Sequence, residues 1–310
     1  MPKQRDGDRD LLTRIAWMYY YADMNQQMIA KQLDINRVKV TRLLKRVRDE
    51  GIVRVEIQGD HVGLYPLEEE LRRVTGLQQV VVVPETDRCH DSVCHGIGHL
   101  FNELLSPVGR LGMGLSRTLF NLSKYLDPER CGISSVTSIS GTATPSLALT
   151  PANAGLAVAQ ALAVDFFAIW SPVIVSPSTD ARTVLSDKFI ATALDMAADV
   201  DWALVGIGNV NDSQLMQMGY ISEEELTDIK SRGVVGEISG NYFTTKGTTT
   251  ATSIDHRIIA VDFPMRCPVI GAACGADKVE PIVGAIRAGY IQGVVTDEPT
   301  AKAVVTLMKE

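Results

Sequence analysis

A chain of 310 residues with 45% hydrophobic content is long enough for one large core and one small one, and too short for three ordinary domains. Its formal net charge of -7 makes the bulk of it a poor partner for a polyanion. It contains no run of about 18 uncharged apolar residues that could span a bilayer, and its first ten residues, MPKQRDGDRD, are charged where a signal peptide would be apolar. The expectation is therefore a cytoplasmic protein without membrane contact. Five cysteines, Cys89, Cys94, Cys131, Cys267 and Cys274, form no C-x-x-C pair, and they are expected to be reduced thiols of a reducing compartment.

The charge is unevenly spread. Residues 1–60 hold 12 Lys and Arg against 9 Asp and Glu, whereas residues 61–310 hold 18 against 28. A basic head on an acidic body predicts one surface built for a polyanion. Within the head, Leu11, Leu12, Ile15, Ala16 and Tyr19 recur at helical spacing between Asp10 and Tyr21, predicting a first helix. Asn25 can cap a second, QQMIAKQL, with Ile29, Ala30 and Leu33 inward. A sharp turn follows at Asp34, a residue type that tolerates positive φ.

Asn36 opens a third helix from Arg37 to about Glu50, and Gly51 ends it. At 100° per residue Val40, Leu43, Leu44 and Val47 share the inward side, so Val38, Arg42 and Lys45, flanked by Lys39, Thr41 and Arg46, point outward. A third helix that packs by one stripe and shows cations on the other, after a short turn, is the arrangement of a recognition helix in a major groove. Val38 is an apolar residue on the outward side, suited to a thymine methyl. Asn36, Arg37, Val38, Lys39, Thr41, Arg42, Lys45 and Arg46 are the expected DNA-contacting set. Arg37, Lys39 and Arg42 are candidates for base edges or phosphates, and Lys45, Arg46 and Arg48 for phosphates. After Gly51, IVRVEI alternates apolar and polar residues and predicts a strand or wing. The alternative is an ordinary amphipathic helix with a solvated basic face.

The stretch MNQQMIAKQLDINRVKVTRLLKRVRDEGIVRVEI resembles the head of the SorC family of bacterial transcriptional regulators. The resemblance implies a winged helix-turn-helix and sugar-responsive gene control. Asp34 stands where the family pattern has glycine, Asn36 where it has serine, and Thr41 where it has a second serine.

QGDHVGLYP, residues 58–66, breaks the strand pattern and reads as a linker, giving a DNA-binding domain over 1–57 and an effector and oligomerisation domain over 67–310. Pro66 begins a helix, LEEELRRVTG. Beyond it, apolar runs at 79–83, 110–114, 135–139, 202–208, 257–261, 268–273 and 293–297 alternate with helical stretches. Such alternation predicts an α/β domain with a mainly parallel buried sheet.

Ligands of such sheets sit at the carboxyl ends of strands. RLGMGLSRTLFNL reads as a strand, then Gly112-x-Gly114, then a helix offering Ser116, Arg117 and Thr118 to an anion. VGIGNVN ends a strand with Gly206, Gly208 and Asn209, and GAACGADKVEP places Gly275, Asp277 and Lys278 between a strand and a helix. GMGLSRTL, ALVGIG, GVVGEISGNYF, ACGADKVEPIVGAIRAG and VVTDEPTA look like landmarks of the SorC effector domain, so the resemblance covers nearly the whole chain. It implies a fold similar to sugar-phosphate isomerases and deaminases, and a sugar, polyol or sugar-phosphate effector near Gly112, Gly114, Ser116, Thr118 and Lys278. Arg117, Gly141, Thr142 and Gly208 complete the expected effector set; Gly141 and Thr142 belong to SISGTATPS, where many relatives have paired glycines, and Thr244 and Thr245 stand where an acidic residue is common.

Two rivals differ in class. An enzyme would use Asp187, Asp255, His256 or Asp262, none of which is spaced as a catalytic pair, and no catalytic role or cofactor is expected. A metal sensor would use CHDSVCHGIGH, with Cys89, His90, Cys94, His95 and His99, the last two at i and i+4, and no metal site is assigned. The reading is a regulator that binds double-stranded operator DNA as a homo-oligomer, dimer or tetramer, because paired half-sites multiply the affinity of a small head.

Overall fold

The computed structural model describes residues 3–53, 63–105, 107–143, 153–212 and 214–310. The chain divides into two compact units, Met1–Val62 and Gly63–Glu310.

The first unit holds α1 (Lys3–Tyr20), α2 (Gln26–Gln32) and α3 (Arg37–Asp49). Helix α1 begins well before the apolar pattern that announces it. Its first turns are charged and carry no periodicity, but a nucleated helix extends at one hydrogen bond per residue. Leu12, Ile15 and Met18 of α1, Ile29 and Ala30 of α2, and Val40, Leu43, Leu44 and Val47 of α3 form one buried cluster. Asn25 Oδ1 accepts the Gln27 and Met28 N–H groups, and Asn36 Oδ1 accepts that of Lys39 at 2.8 Å, so both helices start as their caps require. Asp34 adopts φ +52° in the turn between α2 and α3, and Gly51 takes φ +67° beyond α3. Ile52 and Val53 pack against the cluster; the rest of the expected wing, residues 54–57, lies outside the described residues.

In the second unit the elements follow as α4 (Tyr65–Thr75), β1 (Gln79–Val83), α5 (Cys89–His99) continued by a π-helical turn, β2 (Gly109–Met113), β3 (Ile133–Thr142), α6 (Ala154–Leu162) and β4 (Asp165–Pro172). Then come α7 (Ala181–Leu185), α8 (Lys188–Ala198), β5 (Trp202–Gly206), β6 (Gly208–Asn209), α9 (Gln214–Gln217), α10 (Glu223–Ser231), β7 (Val234–Ile238) and β8 (Asn241–Thr244). Last are β9 (Val269–Ala272), α11 (Val279–Arg287), β10 (Gly293–Asp297) and α12 (Glu298–Lys309). The expected linker ends earlier than its composition suggests, since Tyr65 and Pro66 already belong to α4.

Among the described residues, seven strands form a parallel sheet in the order β1-β10-β9-β5-β2-β3-β4, and β6-β7-β8 form a small antiparallel sheet. Side chains alternate between two cores. Val80 and Val82 join Ala203, Val205 and Val294 beneath α4, α8, α11 and α12, whereas Val81 and Val83 join Leu111, Leu204 and Val295 beneath α5 and α6. Successive strands after β1 run outward through β2, β3 and β4. The chain then returns to place β5 beside β2, and β9 and β10 continue toward β1. The order therefore reverses between β2 and β5, where open α/β sheets form a crevice at their carboxyl ends.

Three expectations change. Residues 257–261 are not a strand of the main sheet: Ile258 and Ala260 make only single bridges to Ile174 and Ser140. Arg257 fixes this crossing, since its buried guanidinium binds the Val175 and Tyr220 carbonyls and the Glu225 carboxylate. The segment after Gly114 is not an α-helix but turns closed by i→i+3 bonds, Phe120 to Arg117 and Leu122 to Leu119, with a short 3-10 turn at Leu122–Lys124. Finally, Cys89 and Cys274 are not separate thiols: their sulfurs are paired, while Cys94, Cys131 and Cys267 are free and buried. The pair is 185 residues apart in sequence, and the strand order brings its segments together at the carboxyl edge of the sheet.

Candidate functional site

Each unit carries one candidate site. On α3, Arg37, Val38, Lys39, Thr41, Arg42 and Lys45 are exposed, and Val38 keeps 68% of its surface in solvent. The expected set is chemically divided. Arg37, Lys39, Arg42 and Lys45, with Val38, form the outward face. Asn36 is engaged by its own cap, and the Thr41 hydroxyl donates to Gln26 Oε1 at 2.8 Å, joining α3 to α2. Arg46 is held by Glu50 one turn later at 2.7 Å. Arg48 donates to the Tyr20 hydroxyl at 3.3 Å and so links α3 to α1.

The second site is a cleft at the carboxyl edge of the parallel sheet. Leu115, Ser116, Arg117 and Thr118 follow β2, Gly206 ends β5, Ile207 follows it, Gly208 opens β6, and Lys278 follows β9; His90, Asp212 and Glu237 complete the lining. Its free volume is about 60 Å³, room for a few waters. The Ser116 hydroxyl accepts the Thr118 N–H at 3.1 Å, and Cys94, whose thiol burial pushes up to about 12, donates to the Thr118 carbonyl. Asn209 donates to the Asp277 carbonyl at 2.5 Å, holding the loop after β5 against the one that carries Lys278.

Charge within the cleft is partly self-neutralised. Arg117 is ion-paired with Asp212, whose carboxyl it holds below the usual range. Lys278, largely buried, lies 3.7 Å from Asp277, too far for a strong charge-assisted hydrogen bond. Burial raises Glu237 above the ordinary carboxyl range, although the Gly240 N–H and the Lys278 charge both oppose the shift. Burial, then Arg117 and Lys278, lower His90 below its ordinary value. Cationic side chains, a hydroxyl and the Glu237 carboxyl group converge here, a set that can bind an anion and hydrogen-bond to hydroxyls.

Ser116, Arg117, Thr118, Gly208 and Lys278 of the expected effector set line this cleft; Gly112, Gly114, Gly141 and Thr142 do not. A Cβ on Gly112 would meet Ile139 and Val200, so that glycine serves packing beneath the sheet. The Gly114 N–H is spent on the Leu204 carbonyl, and Gly141 lies against the Ser171 and Pro172 carbonyls. Thr142 accepts Val173 N–H at the β3–β4 edge. His90, Asp212 and Glu237 went unmarked in the sequence as cleft residues. Glu237 lies in the family-like GVVGEISGNYF stretch; His90 stood only in the metal-sensor cluster, and nothing local marks Asp212.

The rival residues are elsewhere employed. Asp187 caps α8 through Phe189 N–H at 2.8 Å, and Asp255 accepts Thr252 N–H at 3.0 Å. Asp255 and Asp262 line a separate depression near Tyr242, with no histidine in its lining. Cys94 is buried, and the His95 ring meets that of Tyr125 edge-on. Among the described residues, the metal-ligand types that do converge are Cys89, His90 and Cys274.

The sugar-binding domain family Sugar-bind matches residues 60–306. The LsrR transcriptional regulator of Enterobacter sp. (strain 638) is 31% identical over 313 residues, spanning 97% of this chain and 94% of its own. The chain belongs to the SorC family of transcriptional regulators. A second relative, the erythritol catabolism regulatory protein EryD of Brucella abortus (strain 2308), is 28% identical over 97% of this chain and 98% of its own. The full-length sorbitol operon regulator SorC from Klebsiella pneumoniae superposes with a TM-score of 0.71 at 26% identity, covering 96% of this chain and 99% of that one. Within the SorC family a regulator reading stands over the isomerase or deaminase reading, since these relatives are regulators along their whole length. No helix among the described residues is long and apolar enough to cross a membrane.

Proposed function

We propose that this SorC-family regulator controls an operon for carbohydrate or polyol breakdown, reading double-stranded operator DNA with α3 and a phosphorylated sugar or polyol with the cleft. The observation that carries the effector class is the convergence of Arg117, Lys278, Ser116 and Glu237 at the strand-order reversal. Arg117 and Lys278 suit a phosphate, whereas Glu237 and Ser116 suit hydroxyls. The relatives support a sugar or polyol class, one being named for erythritol catabolism and another for a sorbitol operon. On α3, Arg37, Lys39, Arg42 and Lys45 supply phosphate or base contacts and Val38 an apolar one. Effector binding shifts the population of protein arrangements and so the spacing of the heads.

The regulator works in the cytoplasm as a homo-oligomer, and β4 supports a self-association surface. This edge strand and α8 expose Phe167, Trp170, Phe189 and Met196, an apolar patch large for an unpartnered surface. A melting-temperature panel of erythritol, sorbitol, pentoses, hexoses and their phosphates tests the effector class. Stabilisation by a phosphorylated member and its loss in Lys278→Ala is expected; no shift across the panel contradicts it.

A further inference from the structure

We propose that Cys89 and Cys274 form a reversible oxidation site that gates the cleft; the gating rests on the effector reading above, whereas the cross-link does not. Cys89 is the first residue of α5 and is half-buried, and Cys274, 4% exposed, lies just beyond β9. Their Cα atoms are 6.2 Å apart, within the span of a disulfide. His90 offers a ring nitrogen within 4.8 Å of both sulfurs. Cys94, Cys131 and Cys267 are enclosed, so the partly exposed Cys89 is the thiol that an oxidant reaches.

The bonded segments are the walls of the cleft. His90, next to Cys89, lines one side. Cys274 leads through Gly275, whose N–H binds the Thr300 hydroxyl at 2.9 Å, to Lys278 on the other. The co-reactant is a low-molecular-weight disulfide. The Cys89 thiolate, its proton passing to His90 and on to water, attacks one sulfur of the reagent, forming a mixed disulfide and expelling one small thiolate. The Cys274 thiolate attacks the Cys89 sulfur and expels the second. Two protein thiols are oxidised, the reagent's disulfide gains two electrons, and the two protons end on the two departing thiols. The free volume of the cleft in the bonded state is about 60 Å³; with the bond formed the walls are tied, and with it broken they are free to separate and admit an anion.

The test uses the full chain equilibrated with oxidised glutathione or with dithiothreitol. Differential alkylation and peptide mass mapping should recover a Cys89–Cys274 cross-link, with Cys94, Cys131 and Cys267 alkylated only after unfolding. A phosphorus NMR titration with inorganic phosphate should show at least fivefold tighter binding to the reduced chain. Cys89→Ser and Cys274→Ser should each erase that difference and Cys267→Ser preserve it. A glutathione adduct on Cys89 without cross-link, equal phosphate affinity in the two states, or zinc retained stoichiometrically by the reduced chain overturns the proposal. Lys278→Ala separates the two readings, because it should lose phosphate binding in the reduced chain while the cross-link still forms. If phosphate binds neither state and the cross-link forms, the effector reading fails and the gating with it, while the cross-link stands.

Discussion

Arg117 and Asp212 face each other as an ion pair inside the cleft, with side chains 39% and 42% exposed. An anion entering the cleft must compete with Asp212 for the guanidinium. Partial exposure screens such a pair, so opening it costs about 1 kcal/mol or less. Asp212→Asn should therefore tighten phosphate binding a few-fold in a phosphorus NMR titration, and weaker binding would show that Asp212 positions Arg117.

His90 gives the cleft a pH dependence. Burial and the nearby cations lower its pKa, so it is neutral at neutral pH and gains a proton only as pH falls below its ordinary value. Protonation adds a positive charge, and sulfate, whose own charge is constant over this range, should bind more tightly as pH falls from roughly 8 to 5. His90→Gln should flatten that increase. The same shift costs stability in acid, because the unfolded chain takes up the proton at higher pH than the folded one.

Gly206 is a close-approach glycine: a Cβ there would lie 2.6 Å from that of Ser116. Gly206→Ala should displace the loop at 115–118 and weaken phosphate binding by about tenfold, about 1.4 kcal/mol. Circular dichroism should remain native. Unchanged affinity would remove Ser116 and Arg117 from the site.

In the proposed DNA-binding role, the exposed residues of α3 divide into contacts and supports. Arg42→Ala should cost about 1–3 kcal/mol in DNA binding, read by fluorescence anisotropy on a duplex selected from a random pool, with an unchanged melting temperature. Thr41→Ala should instead lower stability by about 1 kcal/mol through the lost bond to Gln26. Asn36→Ala should do likewise, by about 1 kcal/mol, through the lost cap. An affinity loss in Thr41→Ala as large as in Arg42→Ala, without lost stability, would reassign Thr41 to the DNA.

Trp170, 61% exposed on the edge strand, tests self-association. Trp170→Lys should reduce the sedimentation coefficient to that of a smaller species, and an unchanged value would place the interface elsewhere.

Much of this was legible locally because local chemistry decided it. β1 and β10 appear where continuous valine runs predict them, and the caps at Asn25 and Asn36 and the positive φ of Asp34 follow from short side-chain bonds. β4 escapes that reading because an edge strand with Asp165, Phe167 and Trp170 turned outward has neither a buried run nor clean alternation. Ser116 and Lys278 are readable as loop residues after strands, but His90, Asp212 and Glu237 reach the cleft only through strand order. The same long-range order joins Cys89 to Cys274. Gly112 and Gly141 lie outside the cleft lining and pack closely, because close strand packing and ligand approach select the same residue type.

The proposed function requires that occupancy of the cleft change the affinity of the chain for DNA. Its most direct measurement is anisotropy of the selected duplex with the reduced full chain, with and without the phosphorylated sugar or polyol that most raises the melting temperature. DNA affinity should change at least tenfold in the wild type, about 1.4 kcal/mol or more, and not in Lys278→Ala. Equal affinity with and without a ligand shown to bind would contradict it.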